Sequence, residues 1–287
     1  MNCSAHFALE TLARSLALGA RLELHLTPKP GLVDLADCGS HPDLSVETME
    51  RSIEYVADYL EQTVASLVAG QPFAQQRAIG VVAEQRLLAE LGTNTHKGFI
   101  FLSGMLLIAR WHAASPDERA MRSALCALSE EFFSSADEQP THGRQVRKKY
   151  QTGGIVVESI NGFPSVFDQG LPAFRRAWLE HGCFETASFA MLGRLMQTVD
   201  DTTTLHRAGP EGLARVKRDG LALETIVAEG CDHLAFLREL NRRYVQANIT
   251  IGGVADMIGI AYGVLLAGGE IAPELLRQQP AAERASV

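Results

Sequence analysis

Residues 92–98, GTNTHKG, place two glycines, two threonines, an asparagine, a histidine and a lysine between two strongly apolar segments. Lys97 lies between Gly92 and Gly98, so backbone N–H groups and an ammonium can converge there on one phosphate. The same residues would also serve as a helix start capped by Asn94 or Thr95. Other polar interruptions break the apolar pattern at TPKPGLVD (27–34) with GSHPD (39–43), TGG (152–154) with Glu158 and NGFP (161–164), DDTTTLHRAG (200–209) and NITIGGVAD (248–256). Loops held by a rigid scaffold are the usual carriers of chemistry.

The acids in these loops suit a hard cation. Asp34, Asp37 and Asp43 fall close together beside His41, and Asp200–Asp201 is followed by a run of threonines. Carboxylate and hydroxyl oxygens of this kind bind Mg²⁺, which keeps several waters and shares itself with phosphate oxygens. Asp201 and the threonines are equally suited to capping a helix. The bases Lys29, Lys97 and Arg207 each sit inside a glycine-bearing loop instead of on a helix face, and His41, His96 and His206 fall in the same loops. Zinc spacing of the H-E-x-x-H type is absent, as are G-x-S-x-G and G-x-G-x-x-G. The sequence therefore argues against a zinc enzyme, a serine hydrolase and a dinucleotide dehydrogenase.

The elements that must position these loops are helices. Ile53, Val56, Ala57, Leu60, Val64, Leu67 and Val68 form one apolar stripe at helical spacing, and Met121, Ala124, Leu125, Leu128 and Phe132 form another. Ser115-Pro116-Asp117-Glu118 predicts the start of the second helix, with Ser115 as N-cap. Similar stripes cover roughly 5–26, 72–91, 97–113, 171–180, 185–199, 210–219, 222–246 and 254–267, while IVVESI (155–160) is the best strand candidate. The expected fold is all-α, one compact domain over 1–277 with about ten to thirteen helices, the site built from interhelical loops, and a frayed tail at 278–287.

Composition agrees with this. The chain has 287 residues, is 46% hydrophobic and carries a formal net charge of −8, so nucleic acid is not an expected partner. Cys3, Cys38, Cys126, Cys183 and Cys231 form no C-x-x-C pair and read as reduced thiols of a cytoplasmic protein. The N-terminus has no apolar run of signal-peptide length. Residues 249–269 approach spanning length, but Asp256 in their middle and the absence of flanking Lys or Arg make them a buried helix, not a membrane span. Gly259 and Gly263 would let another helix approach closely. Oligomeric state leaves no signal in the sequence.

Taken together and in order, Leu22-Glu23-Leu24, TPKPGLVD, GSH-x-D, GTNTHKG, TGG…Glu158…GFP, the Asp-Thr segment ending in His206-Arg207, and Asn248…GG-x-AD resemble the triphosphoribosyl-dephospho-CoA synthase family over about residues 12–268. The resemblance implies an all-helical, Mg²⁺-dependent enzyme. ATP would donate its ribose with the triphosphate still attached, adenine would leave, and the 2′-hydroxyl of 3′-dephospho-CoA would take its place. The product would pass to a holo-acyl-carrier-protein synthase serving citrate lyase or malonate decarboxylase. It further implies that Lys29, Lys97 and Arg207 hold the triphosphate with Mg²⁺, that Asn94, Ser40, His41, Gly252 and Gly253 contact substrate, and that Asp34, Asp200 and Asp201 bind the metal. Loss of adenine leaves an oxocarbenium-like sugar that a carboxylate would stabilise, while a second carboxylate or a histidine takes the hydroxyl proton. Glu23, on the apolar face of the first helix, Glu84 and His96 are the candidates, with their roles left open.

One loop departs from the family pattern. Where members commonly read N-x-S-P-G-G-S-A-D, this chain has Thr250, Ile251 and Val254 in place of the Ser, the Pro and the second Ser. If that loop touches dephospho-CoA, substrate preference or activity would change. Thr203, Thr204 and His206 lie closer to the malonate-decarboxylase branch. Two other functions fit the same residues: a Mg²⁺-dependent N-glycohydrolase that gives the sugar to water, and a non-catalytic ATP-binding protein.

Overall fold

A computed structural model describes residues 3–93, 95–135 and 153–275. Among them the chain forms eleven α-helices, one π-helical turn and no strand. The helices are α1 (Cys3–His25), α2 (Val46–Val68), α3 (Phe73–Leu91), α4 (Lys97–His112), α5 (Glu118–Ser135), α6 (Gly154–Ile160), α7 (Leu171–His181), α8 (Phe184–Thr198), α9 (Thr202–Ala228), α10 (His233–Gln246) and α11 (Gly252–Ala267). The π-helical turn, Ser165–Gly170, runs directly into α7. The predicted tail at 278–287 lies outside the described residues, as does Asn94.

Four local expectations are corrected. IVVESI is the body of α6, not a strand, because it has no partner strand and its backbone bonds close within the segment. The N-cap ahead of α5 is Asp117, whose Oδ1 accepts from Ala120 N at 2.9 Å, while Ser115 Oγ donates to Asp117. The stripe over 222–246 is broken at Gly230, which has φ +68° and separates α9 from α10. A second break lies inside α9. The expected loop at 200–209 is helical from Thr202 onward; Pro210 disfavours helical backbone at the residue before it, and Gly209 takes φ 67° there, so α9 kinks after its first turns.

The core is organised around α1 and α11, the most extensive helix pair. Gly19 of α1 faces Gly259 and Gly263 of α11, and a methyl group at 19 would come within 2.6 Å of the Gly263 nitrogen. The predicted close approach therefore occurs, and the partner is α1. Val254, Ile258, Ile260, Ala261, Tyr262 and Leu265 are buried along α11, and α4 is buried from Phe99 to Ala109 except at Phe101. Each fully buried large apolar side chain contributes about 2 kcal/mol. None of the described helices is long and apolar enough to cross a membrane. The cores of α1, α4 and α11 bring the C-terminal end of α1 next to the N-terminal ends of α4 and α11.

Candidate active site

These ends, with segments 32–49, 153–169 and 198–207, enclose a cavity of about 1040 Å³. All the polar interruptions of the sequence reach its wall: His41 and Asp43, Thr95 and His96, Gly154 and Glu158, Asp200 and Asp201, and Gly252 and Gly253. The apolar share comes from Leu32, Val33 and Leu44 of the connection between α1 and α2, and from Met49 of α2 and Leu102 of α4.

The first wall is made by two loops clamped together. Gly31, at φ +70°, packs so closely on Ile249 that a side chain there would strike the Ile249 carbonyl. Asn241 of α10 accepts from Gly31 N at 2.9 Å and donates to Asp37 at 2.8 Å. Ser40 Oγ donates to the Ile249 carbonyl at 2.6 Å. Arg207 then locks the pair: it donates to the Ser40 carbonyl at 2.6 Å, to Asn248 Oδ1 at 3.3 Å and to His41 Nδ1 at 3.2 Å. An arginine only donates, so His41 Nδ1 is an acceptor and its Nε2 carries the hydrogen given to Thr250 Oγ1 at 2.8 Å. Burial and the Arg207 charge lower the His41 proton affinity, in keeping with the neutral ring. Arg207 has no carboxylate partner among the described residues, and it lines the cavity.

Lys29 and Asp34 are used inside this wall, away from the cavity. Lys29 is 1% exposed, and its ammonium donates to the Glu23 carboxylate at 2.6 Å and the Glu23 carbonyl at 2.5 Å. Glu23 itself lines the cavity, so Lys29 is the buried counter-ion that lets a carboxylate stand there. Asp34 folds the loop instead of facing solvent: its carboxylate accepts from the backbone N–H of Lys29 at 2.7 Å, Ala36 at 2.7 Å and Asp37 at 3.2 Å. Burial raises its pKa and these amides oppose the rise.

The second wall is the start of α4. His96 is buried, with Nδ1 2.6 Å from Ser52 Oγ, and burial followed by the Lys29 charge lowers its pKa to about 4. The ring is neutral at physiological pH and can give or take a hydrogen bond without carrying charge. Lys97 lines the cavity at its exposed edge and pairs with Glu84 at 2.8 Å; Glu84 does not reach the cavity. Glu158 faces the cavity from α6 with one oxygen held by Ser165 N at 2.7 Å and the other by Ser165 Oγ at 2.9 Å. Burial raises its pKa.

The third wall joins α9 and α11 through one side chain. Asp201 Oδ1 accepts from Thr203 N at 2.9 Å and Thr204 N at 2.8 Å, capping α9. Its Oδ2 accepts from Val254 N at 3.0 Å in the first turn of α11. Gly253 carries no side chain because one would press on that oxygen, at 3.0 Å. Asp201 is 1% exposed, and burial raises its pKa against the pull of these amides. Asp200, by contrast, is exposed and pairs with Lys217 at 2.7 Å. Asp34, Asp200 and Asp201 therefore do not converge, and no group of three His, Cys, Asp or Glu suited to holding a metal occurs among the described residues. Of the three, Asp200 is the one that lines the cavity without serving backbone amides, so a cation there would rely on water and phosphate oxygens instead of a closed protein cage.

Ile251 and Val254, the departures from the family loop, are completely buried and do not line the cavity. Thr250 retains a working hydroxyl through His41. The altered loop is thus a change of packing behind the wall.

The sequence marks Glu158 and Asp256 within polar interruptions without assigning either a role, and it gives no site reading to Ser52 or Asn241. Asp256 had a signal, a lone acid in an apolar helix. Ser52 and Asn241 had none, because each is one polar residue on an ordinary amphipathic helix.

A helical scaffold with one cavity walled by convergent polar segments is the architecture of a small-molecule site, and the comparisons with known proteins give its class as a transferase. Residues 9–272 match the protein family described as ATP:dephospho-CoA triphosphoribosyl transferase, and the chain belongs to that family. It is 36% identical over 259 residues to the "Probable 2-(5''-triphosphoribosyl)-3'-dephosphocoenzyme-A synthase" of Azotobacter vinelandii, spanning 85% of this chain and 87% of the relative. A protein of the same description from Pseudomonas putida is 33% identical over 82% of this chain and 87% of its own length. The "2-(5''-triphosphoribosyl)-3'-dephosphocoenzyme-A synthase" of Pectobacterium atrosepticum is 30% identical over 89% of both. No solved structure matches the chain.

Proposed function

We propose that this chain transfers the 5-triphosphoribosyl group of ATP to the ribose 2′-hydroxyl of 3′-dephospho-CoA and releases adenine. The product is the precursor of the prosthetic group of an acyl-carrier protein of malonate decarboxylase or citrate lyase, and a holo-acyl-carrier-protein synthase consumes it. The observation that carries this proposal is the sorting of charge by depth in one cavity. Glu23 and Asp201 are almost fully buried, whereas Arg207 and Lys97 lie nearer solvent. A triphosphate is held best by the outer cations, Arg207 and Lys97. The sugar that becomes cationic as adenine leaves is stabilised best by the deeper carboxylates.

Within this proposal His41 orients Arg207, and Ser40 and Lys29 hold the wall and the Glu23 carboxylate in place. Asp200 lines the cavity, caps no helix and has only the exposed Lys217 as partner, so it would exchange that partner for a divalent cation such as Mg²⁺ in company with substrate phosphates. Such an ion would neutralise part of the triphosphate charge when bound. Free Cys38, Cys126, Cys183 and Cys231 suit the reducing cytoplasm, where both nucleotides are available.

The test is mass analysis of the purified protein incubated with ATP, Mg²⁺ and dephospho-CoA. A joined triphosphoribosyl product with an equal amount of adenine is expected. Adenine release without dephospho-CoA, with free ribose triphosphate, would identify an N-glycohydrolase instead. ATP binding with no adenine release would identify a binding protein.

A further inference from the structure

The geometry points to Asp256 as the catalytic base that receives the proton of the attacking hydroxyl, and to Gly98 as the residue that lets its carboxylate stand against α4. This inference rests on the transfer reaction proposed above. The other carboxylates on the cavity wall are already committed. Glu23 is paired with Lys29, Glu158 is held through both oxygens by Ser165, Asp201 caps two helices, and Asp200 pairs with Lys217. Asp43 is exposed at the mouth. Asp256 has no ion pair and no side-chain donor among the described residues, and it lacks the three backbone N–H groups that hold Asp201; the Phe99 backbone N–H is the group beside it that favours the carboxylate. It projects from α11, a helix whose other side chains are overwhelmingly apolar.

Gly98 gives the second observation. It lies in the first turn of α4, with no positive φ to require glycine. Alanine would ordinarily favour the helix there by up to about 1 kcal/mol. A methyl group at 98, however, would collide with Asp256 Oδ2. The glycine is explained by the carboxylate that occupies the space of its side chain. Burial, then the neighbouring Asp201 and Glu23 charges, hold the Asp256 carboxyl well above the ordinary carboxylate range, which makes it a stronger base than a solvated aspartate.

In the step, the acceptor 2′-hydroxyl gives its proton to Asp256 while its oxygen bonds to the anomeric carbon. The bond from that carbon to the adenine nitrogen breaks, and its electron pair leaves with adenine, which takes one proton from solvent. Asp256 then releases its proton to solvent, so ATP and dephospho-CoA become the joined product and adenine.

The test compares wild type, Asp256→Asn, Asp256→Ala, Gly98→Ala and the Gly98→Ala/Asp256→Ala double variant with ATP, Mg²⁺ and dephospho-CoA. Wild type that releases no adenine would overturn the transfer reaction and this role with it. With an active wild type, Asp256→Asn should lower kcat about 100-fold or more while ATP affinity, read by calorimetry, is retained. Unchanged kcat, or a loss confined to ATP affinity, would overturn the role. Gly98→Ala should lower kcat in the wild-type background and have no further effect beside Asp256→Ala, where the collision is gone. Equal losses in both backgrounds would overturn the positioning by Gly98. If the Asp256 variants do not fold, Gly98→Ala alone decides: full kcat would sink the assignment.

Discussion

Arg207 and His96 show how differently a cation and a neutral ring serve one cavity. Arg207 is fixed by three acceptors from two loops and keeps its charge uncompensated by any described carboxylate. Arg207→Lys should retain the charge yet lose the fork that spans Ser40, Asn248 and His41. The expected outcome is a KM for ATP raised about tenfold, with a smaller change in kcat, measured in steady-state kinetics. His96 makes a prediction about acid stability. Its folded pKa, about 4, lies below its ordinary value of 6.5. Between those values the unfolded chain binds more protons than the folded one, so stability falls as pH drops through that window. The loss is up to about 3 kcal/mol at its acid end. His96→Gln should flatten the fall of Tm between pH 7 and pH 5; an equally steep fall would assign it to other groups. Arg207 stands out in the sequence as a cation in a glycine-bearing segment read as a loop; the structure instead places it on the first turns of α9, ahead of the kink at Gly209. The sequence could not show that Lys29 pairs with Glu23, since that depends on the chain turning back over six residues into a buried space. It also left Asp201 between capping and metal binding, and only the amides of α11 reveal that it caps twice.

At the scale of helices, periodicity carried most of the architecture and chain breaks carried the rest. The stripes of α2 and α5 fall where spacing predicts, because each must bury one face. IVVESI failed as a guide because a short β-branched run has the same composition in a buried helix and in a strand. The pairing of α1 with α11 was legible in part: Gly259 and Gly263 announced a close neighbour without naming it. That contact gives a contrast between two glycines. Gly19→Ala would drive a methyl group into α11 and should cost about 1–3 kcal/mol, read as a lowered Tm. Gly80→Ala, on α3, meets nothing closer than the Tyr59 ring at 3.7 Å and should raise stability by about 0.5–1 kcal/mol. A loss at Gly80 as large as that at Gly19 would show that helix packing is not the cause.

Across the whole molecule, five polar breaks far apart in sequence make one cavity because α1, α4 and α11 pack as a unit. Inorganic tripolyphosphate should therefore bind without any sugar or base attached, raise Tm, and compete with ATP. Its affinity should fall with added salt and with Lys97→Ala. A Tm insensitive to tripolyphosphate would remove the outer cations from phosphate binding. The convergence itself was not legible residue by residue, since nothing in a loop states which other loops it will meet. The double cap formed by Asp201 has a further consequence. The amides at the start of α9 and α11 are the kind of anion seat that a phosphate would otherwise occupy, yet a fixed negative group already fills them. On the proposed reaction, the polyanionic end of the nucleotide would be turned away from that corner, which favours one orientation of the donor: tail outward, sugar inward.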